Sequence, residues 1–61
     1  MLEYCKTILQ KVSFSPQLFR KELKKSTRWL QKDEIYLLQA WCILTFGDIY
    51  QDIIRDVFRG I

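Results

Sequence analysis

Histidine is absent from this 61-residue chain, which removes the commonest general base of enzyme sites. Glycine occurs twice and proline once, so there is no glycine loop to cradle a phosphate and no nucleophile elbow. Only two cysteines occur, Cys5 and Cys42, with no partner at metal spacing. These gaps argue against an enzyme, a cofactor or a metal centre. Both cysteines fall among apolar positions and read as reduced core thiols of a cytoplasmic protein. A single long-range disulfide in a secreted form is the alternative. Glu3 and Lys6 near the start, with no apolar stretch around them, argue against a signal peptide.

What the chain does have is apolar weight. The hydrophobic fraction is 49%, within the globular range, with no low-complexity tract or internal repeat. Most of the weight lies in residues 35–46, where Ile35, Tyr36, Leu37, Leu38, Ala40, Trp41, Cys42, Ile43, Leu44 and Phe46 are broken only by Gln39 and Thr45. The run is too short to span a bilayer, which takes about 20 apolar residues. Wound as a helix, it points apolar side chains in every direction. One small domain has little material to cover such a rod. The excess predicts partner surface, most simply a second copy of the same chain.

Helix signals divide the rest. Leu2, Tyr4, Cys5, Ile8, Leu9 and Val12 share one face of a helix over about 2–12, opposite Glu3, Lys6, Thr7, Gln10 and Lys11. Ser15 followed by Pro16 marks the start of a second helix, over about 16–30, with the serine as N-cap. Phe14 and Phe19 have the spacing of a hydrophobic staple across that cap. Leu18, Phe19, Leu23, Trp29 and Leu30 form its apolar side, and Glu22 and Ser26 intrude there. Ser26 is small and can bond its own helix backbone. Glu22 reads as an edge residue reaching water, or as a polar lock held by Arg55, Arg59 or a tyrosine.

Asp33 and Glu34 suit the first turn of a third helix, over about 32–46. Gly47 is placed to stop it, and Asp48 to cap a fourth over about 48–59. Ile49, Tyr50, Ile53, Ile54, Val57, Phe58 and Ile61 keep helical period in that last segment. The apolar positions stay in phase across Gly47, so one bent helix is the alternative to two. The predicted fold is an all-α bundle of three to four helices in a single domain, the third at its centre. Leu9, Val12, Phe19 and Leu23 are expected to pack against it, with Ile49, Ile53 and Val57 added by the fourth.

Charge is unevenly placed. Residues 1–32 carry eight Lys/Arg against two Asp/Glu, and residues 33–61 carry two against five, giving +6 and −3. Arg20, Lys21, Lys24, Lys25 and Arg28 share one face of the second helix and form a candidate anion-binding surface for phosphates, a membrane surface or an acidic partner. A net charge of +3 with no recognised nucleic-acid motif makes a solvated face the plainer reading. Asp48, Asp52 and Asp56 lie one turn apart, but Arg55 and Arg59 alternate with them and intrahelical pairs are expected.

The candidate interface residues are Tyr36, Trp41, Phe46, Tyr50, Ile54 and Phe58, since aromatic and bulky apolar side chains anchor interfaces. The leading function is a non-catalytic protein acting through self-association or protein–protein contact. Binding to nucleic acid or an anionic surface through the second helix is the alternative. Val12-Ser13-Phe14, Leu18-Phe19, Lys21-Glu22-Leu23, Trp41 and Phe46-Gly47 together resemble a group of short bacterial helical proteins of unknown function. The resemblance implies a helical fold and assigns no activity and no site residue.

Overall fold

A computed structural model describes residues 1–60; the expected apolar position Ile61 lies outside the described residues. Among the described residues the chain is all-helical and has no strand. Three helices follow in order: α1 over Leu2–Lys11, α2 over Pro16–Trp29 and α3 over Lys32–Arg59. Each touches the other two.

The local signals explain most boundaries. Ser15 caps α2, its hydroxyl accepting from the Leu18 N–H at 3.4 Å, and Pro16 opens the first turn where no donor is needed. Glu34 reaches back to accept from the Gln31 N–H at 3.1 Å. This satisfies one of the donors that a helix start leaves free. Leu30 leaves α2 with extended backbone and is itself buried, which anchors the turn into α3.

The hydrophobic staple does not form. Phe14 is 77% exposed while Phe19 is fully buried, so the two rings part company at the cap. Phe19 packs inward instead. Its ring centroid lies 5.0 Å from that of Phe46 and 4.5 Å from that of Tyr50.

The third and fourth expected helices are joined. Gly47 does not stop the helix and Asp48 caps nothing; both sit within α3. A straight 28-residue helix would run about 42 Å, yet the longest extent of the molecule is 26 Å. The bend that reconciles these falls at Tyr50, whose φ of −120° and ψ of 30° are non-helical. Its hydroxyl donates to the Ser13 carbonyl in the α1–α2 connection. The bend is thus tied to the α1–α2 connection by the residue that makes it.

The core joins Cys5 and Leu9 of α1, Phe19 and Leu23 of α2, and Leu38, Cys42, Phe46, Tyr50 and Ile54 of α3, among others. Leu9, Phe19, Leu23 and Val57 take their expected places, and Val12 and Ile53 are half-buried. Ile49 does not; it is 71% exposed. The core-facing side of the final segment restarts at Tyr50, and a residue one step earlier points about 100° away from it.

Candidate interaction surface

Bending at Tyr50 makes α3 two rods with different outer sides. Residues 32–49 bury Ile35, Leu38, Cys42 and Phe46 against α1 and α2. These lie roughly on one line of the helix. The other side of the same rod holds Tyr36, Leu37, Ala40, Ile43 and Leu44, all exposed, with Leu44 at 87%. At about 100° per residue these five fall within an arc of roughly 120° centred on Ala40. Together their exposed side chains amount to on the order of 500 Å², at the upper range of the largest apolar patch on an ordinary monomer.

The structure divides the expected interface residues. Tyr36 is exposed, and Trp41 is half-buried at the rim of the patch. The Trp41 ring stacks edge-on with Phe46 at 5.5 Å, and the Lys6 ammonium lies 5.8 Å from its centroid, within cation–π reach. Phe46, Tyr50, Ile54 and Phe58 are buried in the chain's own core and offer no free surface. Phe46 belongs to the inner line of residues 32–49, and the bend at Tyr50 turns Tyr50, Ile54 and Phe58 into the same core. Leu37, Ala40, Ile43 and Leu44, absent from the expected set, complete the patch. The signal that finds them is angular: on the helical wheel each lies about 100° or more from both Leu38 and Cys42, and Ala40 lies opposite the pair.

The basic face of α2 is also divided. Lys21, Lys24, Lys25 and Arg28 are exposed and, with Trp29, line an open groove. Arg20 is half-buried, and its guanidinium donates to Asp56 at 2.5 Å. That guanidinium holds the Asp56 carboxyl below the usual carboxylate range, by hydrogen bond first and by charge second. The pair links α2 to the last turns of α3, so Asp56 bridges helices where an intrahelical pair with Arg59 was expected. Among the described residues the ion pairs are this one and Lys6–Glu3 at 3.3 Å.

Glu22 is half-buried and lines a groove of about 250 Å³ between α1 and α2, beside Tyr4, Ile8, Lys25 and Trp29. No hydrogen bond or ion pair joins it to Arg55, Arg59 or a tyrosine among the described residues. It sits at the edge of the apolar stripe. Ser26 is buried and donates to the Glu22 carbonyl at 2.9 Å, the local bond its size allows.

Cys5 and Cys42 are free and buried. Burial pushes the Cys42 thiol up to about 12, which keeps it protonated and poorly nucleophilic. Among the described residues no three His, Cys, Asp or Glu side chains gather to hold a metal ion. No described helix is long and apolar enough to cross a membrane. Comparison of the chain with family models, with curated proteins and with solved structures finds no match.

Proposed function

We propose that this chain is a non-catalytic interaction protein that works by self-association through the outer face of residues 36–44. One observation carries the reading: a contiguous apolar face on a helix whose opposite side already completes the core. Stability of the single chain does not need Leu37, Ile43 or Leu44 to be apolar, and three such residues exposed together mark a contact surface. In this reading three helices form a bundle that presents its central rod to a partner. The cytoplasm suits it, because buried reduced thiols need no oxidising compartment. The resemblance to short bacterial helical proteins belongs to the same proposal.

Light-scattering mass across a dilution series tests it. The expected result is a mass above 7.4 kDa at high concentration that falls on dilution. Leu44→Glu is expected to give the single-chain mass throughout with unchanged helicity. A wild-type mass of one chain at every concentration would overturn the reading.

A second reading rests on the α2 groove, where four cations with no ion-pair partner among the described residues flank the exposed indole of Trp29. Such a surface suits phosphates, with salt-dependent affinity. Heparin retention that falls with modest salt and weakens in Lys24→Glu/Arg28→Glu is expected if it binds anions. Passage through the column at low salt removes this reading.

A further inference from the structure

The outer face of α3 has an internal symmetry that specifies how two copies meet. Counted from Ala40, large apolar residues stand three and four positions before it, at Leu37 and Tyr36, and three and four positions after it, at Ile43 and Leu44. Seven positions out stand Asp33 on one side and Gly47 on the other. The face is therefore a palindrome of bulk about a small central residue, and all five central side chains are exposed.

We infer that the chain forms a two-fold symmetric dimer in which the residue 32–49 rods pair antiparallel, with Ala40 on the axis. This inference rests on the self-association proposed above and names its geometry. In an antiparallel pair centred on Ala40, Tyr36 comes level with the partner's Leu44 and Leu37 with the partner's Ile43. On the wheel Tyr36 and Ile43 lie to one side of Ala40, and Leu37 and Leu44 to the other. A two-fold axis perpendicular to the rods keeps each residue on its own side. Large side chains at one level then occupy opposite sides of the seam and interlock without meeting head-on. Ala40 against Ala40 lets the rods approach at the close end of the range of about 8–10 Å.

Charge separates the two possible directions. Asp33 lies on the same face, so a parallel pair would set it level with its own copy and place like charges together. The antiparallel pair sets it level with the partner's Gly47, where space remains for the carboxylate to reach water. Antiparallel helix dipoles also attract, while parallel ones repel. Area supports a second copy as occupant. An apolar patch on the order of 500 Å² becomes about 1,000 Å² when two copies bury it, the level a specific interface needs. An isologous contact requires self-complementarity of one patch, and the palindrome supplies it.

The test uses the full chain. Ala40→Arg places a long cation on the axis of both copies at an exposed position, so it is expected to weaken association by roughly a hundredfold or more while circular dichroism stays unchanged. Asp52→Arg, off the face, is expected to leave the mass unchanged. A nitroxide on Lys32→Cys, with Cys5 and Cys42 buried, reads direction. Eight residues on each side of the axis put the two label sites about 24 Å apart along the rods, whereas a parallel pair brings them to about 10 Å. A dimer that survives Ala40→Arg, or a label pair near 10 Å, overturns this arrangement. If that dimer still dissociates in Leu44→Glu, self-association through the face stands. A wild-type chain of single mass at every concentration overturns both.

Discussion

The two halves of α3 bury one side each, yet their outer sides have opposite character. Residues 50–59 turn Tyr50, Ile54, Val57 and Phe58 inward and show Gln51, Asp52, Arg55, Asp56 and Arg59 to solvent. That is what a helix closing a small core requires. Residues 32–49 turn an equally apolar side inward and show Tyr36, Leu37, Ile43 and Leu44 outward. The first half carries apolar surface beyond what its place in the single chain uses. The difference locates the surplus on one rod, and it is this rod that a second copy would cover.

Leu38 and Leu44 state the contrast at single-residue scale. They lie six positions apart on one rod, one at 0% exposure and the other at 87%. Leu38→Ala should cost about 2–5 kcal/mol by denaturant unfolding, the transfer of the lost methyl groups plus the cavity left behind. For a domain of ordinary stability that is a large part of the total. Leu44→Ala, measured in dilute solution so that any self-association is suppressed, should stay within about 0.5 kcal/mol of wild type. Equal losses at the two positions would erase the distinction between inner and outer sides.

The hinge between the halves is the next place to press. Tyr50→Phe keeps the ring against Phe19 and removes the hydroxyl that donates to the Ser13 carbonyl. The expected loss is about 0.5–1.5 kcal/mol, with faster amide exchange near the α1–α2 connection. No loss would mean that packing alone sets the bend.

Much of this arrangement was legible in advance, and the exceptions share a cause. Ser15-Pro16 located the start of α2, because a cap and a proline act locally and need no partner. The inward places of Leu9, Phe19 and Leu23 followed from helical period. Gly47 misled because glycine at a helix end is usually read as a stop, whereas here the helix runs through it, with Phe46 before it and Tyr50 after it buried in the core. The true bend at Tyr50 depends on a hydroxyl reaching residue 13, a contact across 37 positions that no local pattern records. Phe46, Tyr50, Ile54 and Phe58, read as interface candidates, lie buried in the chain's own core. Phe46 lies on the inner line of the first rod, and for the other three the fold-back that hides them follows from the bend. Phe14 followed the staple spacing and still lies in solvent, since Phe19 has better partners in Phe46 and Tyr50.

Gly47 also gives a prediction of the opposite sign. It is helical, and a Cβ there would meet Ile43 Cγ2 at 3.9 Å, an ordinary contact. Gly47→Ala should therefore stabilise the single chain by about 0.5–1 kcal/mol through helix propensity, seen as a higher denaturation midpoint. Gly47 would be level with Asp33 in the proposed antiparallel pair, so the same methyl should loosen that dimer slightly. A destabilised single chain would show that the glycine is needed for the bend.

The smallest effect belongs to Arg20 and Asp56, the tie between α2 and the charged half of α3. Arg20 depresses the folded-state pKa of Asp56 below its unfolded value. The pair's stabilisation is therefore present above the ordinary aspartate range near about 4 and fades as pH falls through the lower folded value. Both partners are substantially exposed, so the contribution is screened by solvent and by salt. Asp56→Asn should leave stability at neutral pH almost unchanged and remove a shallow acid-side decline. It should also leave the proposed dimer untouched, because residues 50–59 take no part in the proposed seam. If Asp56→Asn instead dispersed the assembly, the contact would lie on the charged half of α3, and the contrast between the two rods would have been assigned to the wrong one.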